Sequence, residues 1–337
     1  MMDDRTYFDA RGYVVMKGLL DPQRDLQPVI DEYSVLADRI AGRLLEDGAL
    51  ASYDRDRPVL DRLHHLLAET GGSCFQHLDI SLPMDHIRDD TPVHLGRAIF
   101  DLIRNPHLLD AVSTLIGPEI YANPVQHTRI KLPERHFARN APYSLMGTTF
   151  WHQDLGVISE EADRSDIVTA FIAVTASTED NGCVIVAPGS HKGGLVHHCR
   201  TLARNGIPDA AVGPWTPIIM DPGDVLFFHR ATQHASLPNL GEDLRWSFDL
   251  RYGPIGQPTG RRWFPGFVAR SAAHPEQELT DHAAWVRSWH EARSQLATMR
   301  ELPKFTRWPW DPSNPTRECP VCATHAPVAA IATAVSG

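Results

Sequence analysis

The 337-residue chain contains no apolar run that approaches the length of a membrane span. Its opening, MMDDRTYFDARGYVVMKG, lacks the basic start and apolar stretch of a secretory leader. The expectation is a cytoplasmic protein. Dense basic segments are missing as well: 32 Lys and Arg stand against 42 Asp and Glu, a formal charge of -10. Such a balance disfavours nucleic acid and anionic membranes as partners and leaves a small molecule. Cysteine is scarce, with Cys74, Cys183, Cys199, Cys319 and Cys322 odd in number and mostly isolated. That argues against a secreted disulfide framework and for reduced thiols. Cys319 and Cys322 with His325 lack the further ligands of a structural zinc site, so they read as thiols on a tail.

Hydrophobic residues at 42% and charged residues at 22% are ordinary for a folded globular chain. From about Leu26 to Leu45, Val29, Ile30, Tyr33, Leu36, Ala37, Ile40 and Leu44 recur every three or four residues, which predicts an amphipathic helix. Further helices are expected at Val59 to Leu67 and from Leu95 to Ile116, the latter broken at Asn105-Pro106. Helical spacing returns near Asp281 to Met299. Between them lie short β-prone runs separated by turn residues: EIYANPVQHTRIKLP, TTFWHQDLG, DIVTAFIAVTAS, GCVIVAPGSH, GDVLFFH and LRWSFDLRYG. Asp180-Asn181-Gly182 is a hairpin signal between two of these runs. One domain over residues 1–310 is expected, with a helical part at 1–117, a β core at about 118–255 and a helical extension at 256–310. Residues 311–337 read as a flexible tail.

Two stretches carry chemistry. In FWHQDLG, an extended backbone sends His152 and Asp154 to the same face, because strand side chains alternate. In LRWSFDLRY, Arg245, Ser247, Asp249 and Arg251 share one face, and Leu244, Trp246, Phe248, Leu250 and Tyr252 share the other. An edge strand with one wet face would produce this pattern. So would a barrel covered outside by helices and lined inside by a polar pocket. His152, Asp154 and a later histidine supply two imidazoles and one carboxylate, a facial triad suited to non-haem Fe(II) with open positions.

The ordered set WHQD (Trp151 to Asp154), NGCVIVAPGSHKG (Asn181 to Gly193) and GDVLFFHRATQHAS (Gly223 to Ser236), with Arg245 beyond, resembles the phytanoyl-CoA dioxygenase family of Fe(II)/2-oxoglutarate oxygenases. The resemblance covers roughly Phe8 to Tyr252, including the opening FDARGYVVMKGLL. It implies a double-stranded β-helix, a jelly-roll core of the cupin-like kind with a helical N-terminal region. It also implies His152, Asp154 and His234 as metal ligands. The family's distal histidine precedes a small residue and a serine and lies eleven residues before the cosubstrate arginine, which His234 satisfies and His229 does not. Arg245 then takes the distal carboxylate of 2-oxoglutarate, a role suited to a guanidinium fork, and Ser236 donates to the same carboxylate. By approximate position, Lys131, Gln126 and Thr149 are further polar groups of the cofactor site.

The implied activity is oxidation, most simply hydroxylation, of an unactivated C–H bond of a small-molecule metabolite. O2 and 2-oxoglutarate are consumed, and succinate and CO2 are co-products. Related halogenases lack the carboxylate ligand, so the presence of Asp154 favours hydroxylation, or a desaturation, ring closure or epoxidation that follows the same hydrogen abstraction, over halogenation. For Asp249 and Arg251 two readings stand, contact with substrate or pairing with each other, and Phe171 is a third candidate for substrate contact. The rival functions are a silent jelly-roll binding protein and a zinc-dependent hydrolase, the second of which leaves Arg245 unexplained. Segments 73–90, 133–145 and 196–217 are long enough for lids or for the contacts of a homodimer.

Overall fold

The computed structural model describes residues 2–84, 86–136, 146–196, 198–200 and 205–302. The expected tail, with Cys319, Cys322 and His325, lies outside them. Six α-helices are present among the described residues: α1 (Asp4–Arg11), α2 (Gln27–Glu46), α3 (Val59–Glu69), α4 (Arg97–Ile103), α5 (Pro106–Ile116) and α6 (His282–Ala297). The strands are β1 (Tyr13–Met16), β2 (Ile120–Lys131), β3 (Val168–Ala173), β4 (Val184–Val186), β5 (Cys199–Arg200), β6 (Asn205–Gly206), β7 (Thr216–Ile218), β8 (Val225–His229), β9 (His234–Ser236), β10 (Arg245–Pro254) and β11 (Phe267–Arg270).

Local chemistry explains the helix boundaries. In α2, Val29, Tyr33, Leu36, Ala37 and Ile40 form the buried stripe that their spacing predicts. The break between α4 and α5 falls at Asn105, whose side chain accepts from the amides of His107 (2.9 Å) and Leu108 (3.2 Å), with Pro106 opening the next helix. Among the described residues no helix is long and apolar enough to cross a membrane.

The strands form an antiparallel six-stranded sheet in the order β1-β8-β3-β10-β2-β11 and a three-stranded sheet in the order β7-β4-β9, with β5 and β6 as a small separate pair. Tyr13 and Phe171 from the larger sheet share one apolar cluster with Val184, Val186 and Ile218 from the smaller. The two sheets therefore face each other as a jelly roll, with helices on the outside. The larger sheet draws on residues beyond the expected core of 118–255, since β1 comes from the N-terminal part and β11 from the C-terminal part.

Strand β10 settles the ambiguity of its alternating faces. It lies between β3 and β2, so the edge-strand reading is wrong. Trp246, Phe248, Leu250 and Tyr252 join the main core with helical residues such as Tyr33, Leu63, Phe100 and Trp285. Tyr33 of α2 sits 4.8 Å from Trp246 and 5.9 Å from Phe248, ring centre to ring centre. The polar row of β10 is buried too and points the other way.

The Asp180-Asn181-Gly182 turn forms, with Gly182 at a φ of 83°, but it is not a hairpin within one sheet. It carries the chain from β3 in the large sheet to β4 in the small one. A Cβ on Gly182 would meet the Leu237 carbonyl at 2.5 Å, so glycine is required both for its conformation and for this approach. A second irregularity lies in β2. Between the paired residues Asp249 and Arg251, β10 has one residue, whereas β2 has Pro124, Val125 and Gln126 between Asn123 and His127. This bulge, at a proline that cannot donate to the ladder, turns β2 locally.

Because Phe248 is fully buried between α2 and the sheet, Phe248→Ala is expected to cost about 3–5 kcal/mol in chemical denaturation. A loss within experimental error of zero would contradict this account of the helix-to-sheet packing.

Candidate active site

The inner polar groups are placed by backbone pairing. His152 and His234 form an antiparallel bridge, each amide donating to the other's carbonyl at 2.9 and 3.0 Å. Their rings lie 4.1 Å apart, centre to centre. The WHQD segment is not a strand beyond this bridge, since a 3-10 turn begins at Asp154. Gln153 between them is extended, at φ -122° and ψ 140°, and this one residue suffices to bring His152 and Asp154 to the same side. Gln153 is itself buried, and its amide side chain ties to the carbonyls of Gly194 and Ala231 (both 2.7 Å) and to the Val196 amide (2.8 Å).

One ligand-type atom from each of His152, Asp154 and His234 lies within 4.8 Å of the others, and all three side chains are largely buried. Each imidazole is oriented by its own chain. Nδ1 of His152 bonds the Phe150 carbonyl at 2.8 Å, and Nδ1 of His234 bonds the Thr232 carbonyl at 2.9 Å. A carbonyl only accepts, so both Nδ1 atoms carry the proton and both Nε2 lone pairs are left for a metal. Burial, and then the neighbouring His234, push His152 well below the usual imidazole range; burial lowers His234 likewise. Burial alone would raise Asp154, but the Arg251 guanidinium beside it overrides this and holds the carboxyl well below the carboxylate range. All three groups are thus in the protonation state that a metal requires.

A cavity beside the two histidines is lined by Thr149, Ser236, Arg245, Phe171, Arg129 and Asp249. Arg245 is 4% exposed, and its guanidinium lies over the Phe171 ring, 5.3 Å from the ring centre. One Nη donates to the Gly182 carbonyl at 2.9 Å, whereas its buried Nε has no hydrogen-bond partner among the described residues. Burial pushes this guanidinium down to about 10, the direction expected of a buried cation short of a counter-anion. Ser236 Oγ accepts from Lys131 Nζ (2.8 Å) and the Thr149 amide (3.0 Å), which leaves its O–H as the donor it can offer.

The remaining expected site residues are placed differently. Lys131 does not line the cavity: it is fully buried behind Ser236, bonded also to the Leu237 carbonyl, and held well below the usual ammonium range by burial. Gln126 does not line it either, because its amide donates to the Ile80 carbonyl at 3.1 Å. Asp249 and Arg251 do not pair with each other. Asp249 accepts from Arg129 at 2.7 Å, and Arg251 forks onto Asp154, with Nε on Oδ2 at 3.0 Å and Nη2 on Oδ1. Thr169 of β3, which the sequence reading missed, donates to Oδ2 of Asp154. Arg129 was missed as well, although it alternates with Lys131 along β2 and so belongs to the same strand face.

These residues fit the metal and cosubstrate of the resembled family. Two oriented imidazoles and a carboxylate match the donor set of a facial Fe(II) site. The buried Arg245 with an orphaned Nε, beside a serine hydroxyl, matches a carboxylate end. The comparison with known families agrees: the model of the Phytanoyl-CoA dioxygenase (PhyH) family matches residues 8–247. The chain belongs to this family. Fe(II) and 2-oxoglutarate are accordingly its cofactor and cosubstrate.

Among PhyH relatives, 1-deoxypentalenic acid 11-beta-hydroxylase of Streptomyces arenae is 28% identical over 77% of this chain and 85% of its own. Peroxisomal phytanoyl-CoA dioxygenase of Bos taurus is 30% identical over 74% of this chain and 68% of its own. Among solved structures, the non-heme monooxygenase ThoJ aligns over 87% of this chain and 98% of its own, at 18% identity and a TM-score of 0.49.

His229 stands apart from the site. Its Nδ1 accepts from the Ala231 amide at 3.1 Å, and its ring packs against Phe8 and His191. Burial, and then Arg230, lower it to about 4 from the usual 6.5. The unfolded chain therefore binds its proton more readily, and the stability His229 confers is complete above about 6.5 and lost as pH falls towards 4. His229→Gln should leave Fe(II) binding intact and make the loss of stability between pH 6.5 and 4 shallower, as read by denaturation at stepped pH. Loss of metal binding in this variant would transfer the ligand role from His234 to His229.

Proposed function

We propose that this PhyH-family protein hydroxylates an unactivated C–H bond of a small-molecule metabolite, with succinate and CO2 as co-products. The observation that carries the reading is the cluster of His152, Asp154 and His234, whose two histidines line the same cavity as Arg245. When bound, iron with 2-oxoglutarate and O2 supplies the oxidising power that no side chain of the protein possesses. The side chains supply position and electrostatics. His152 and His234 present Nε2 because their Nδ1 atoms are tied to backbone carbonyls. Asp154 stays ionised under the charge of Arg251.

Arg245 and Ser236 are the groups for the far carboxylate of 2-oxoglutarate, on the same cavity wall as the metal histidines. Phe171 lies under Arg245, supports it from β3 and also lines the cavity. Asp154 occupies the position that a halide would otherwise take, which favours oxygen transfer over halogenation. The relative named as a hydroxylase of 1-deoxypentalenic acid supports hydroxylation of a metabolite as the outcome.

Anaerobic titration with Fe(II) and 2-oxoglutarate tests the reading through the weak visible charge-transfer band of the chelated complex. The wild type should develop the band and His234→Ala should not. Arg245→Ala should weaken 2-oxoglutarate binding about ten- to a hundredfold, in line with loss of hydrogen bonds to a charged group. An iron-loaded wild type without the band would sink the proposal and favour a silent binding protein or another metal enzyme.

A further inference from the structure

We infer that Arg251 and Thr169 form a clamp that restricts Asp154 to one metal-facing oxygen, Oδ1. The inference rests on the reading of His152, Asp154 and His234 as the iron site. A carboxylate oxygen offers two lone pairs. Oδ2 of Asp154 receives both the Thr169 hydroxyl and Arg251 Nε, at 3.0 Å for the latter, so its capacity is filled by the protein. Oδ1 receives only Arg251 Nη2 and is the oxygen that lies 3.9 Å from Nε2 of His234. One lone pair of Oδ1 is therefore left for a metal and none of Oδ2.

The clamp is held from three strands. Arg251 of β10 stands directly opposite Thr169 of β3 in the sheet register. Arg251 Nε is also 3.2 Å from Thr169 Oγ1, and its Nη1 donates to the Val125 carbonyl at 3.2 Å. That carbonyl belongs to the β2 bulge, which is anchored by the Val125 amide donating to Asn123 at 2.9 Å. Arg251 and Thr169 are 5% and 0% exposed, so water does not compete for these bonds. A single-oxygen carboxylate leaves open the positions that a chelating cosubstrate and O2 need, whereas a carboxylate free to bind through both oxygens would take one of them. Arg251 and Thr169 are thus positioning residues, acting through Asp154.

The test is anaerobic calorimetric titration of the full chain with Fe(II), alone and with 2-oxoglutarate, for wild type, Thr169→Val, Thr169→Ser and Arg251→Lys. The valine removes the hydroxyl at similar volume, the serine restores it, and the lysine keeps the charge but cannot fork. Thr169→Val and Arg251→Lys are expected to bind Fe(II) about ten- to a hundredfold more weakly, the usual cost of losing a group that orients a ligand. At saturating iron both should show a diminished 2-oxoglutarate charge-transfer band, and Thr169→Ser should behave as wild type in both measurements. Arg251→Lys keeps the test open if the valine variant does not fold. Wild-type affinity and a wild-type band in both variants would overturn the clamp while leaving the iron site standing. Absence of Fe(II) binding in the wild type would overturn both.

Discussion

Strand β10 carries Trp246, Phe248, Leu250 and Tyr252 on one side and Arg245, Ser247, Asp249 and Arg251 on the other, and it runs through the middle of the six-stranded sheet. Both rows must therefore be buried at once. The apolar row is covered by helices such as α2, whose own stripe is complementary to it. The polar row has only the inside of the jelly roll to face, and charges taken out of water there need partners. Everything that marks the site as chemical follows from how those partners are assigned.

Most of the buried charges are matched within the protein. Asp249 is met by Arg129 at 2.7 Å, Asp79 by His127 at 2.9 Å, and Asp154 by the fork of Arg251. Arg245 differs, because its hydrogen bond goes to a neutral carbonyl and its Nε finds no partner among the described residues. A buried guanidinium left in this state is a cost to folding that binding an anion removes. The histidine pair differs in the same sense, since two inward lone pairs on imidazoles whose basicity burial lowers gain little from protons and much from a metal. Cosubstrate and metal complete an electrostatic arrangement that the chain leaves open.

The sequence made much of this legible, in proportion to how local the information was. Periodicity located α2, α3, α5 and α6 closely, because each buries one stripe and has a capping or proline signal at an end. Alternation separated the two faces of β10, but only the strand order showed that neither face meets water. The clustering of His152, Asp154 and His234 was readable from ordered motifs, yet the reason that His152 and Asp154 converge is a single extended residue ahead of a 3-10 turn, not a continuous strand. Thr169 was invisible in DIVTAFIAVTAS because a buried threonine in a β-branched run looks like packing. The partner of Arg251 was equally hidden, since it depends on the register of β3 against β10 and on a bulge in β2. The bonds of Lys131 to Ser236 and of Gln126 to the Ile80 carbonyl could not be read, because closeness in sequence to site strands does not say on which side of those residues a side chain ends.

The central claim is that the polar interior of the jelly roll holds Fe(II) and 2-oxoglutarate between the histidine pair and Arg245. Its most direct test is a crystal structure of the protein grown and soaked anaerobically with both. The account predicts one metal on Nε2 of His152 and His234 and on a single oxygen of Asp154, with 2-oxoglutarate reaching from that metal to Arg245 and Ser236. A metal at other residues, or 2-oxoglutarate bound away from Arg245, would contradict it.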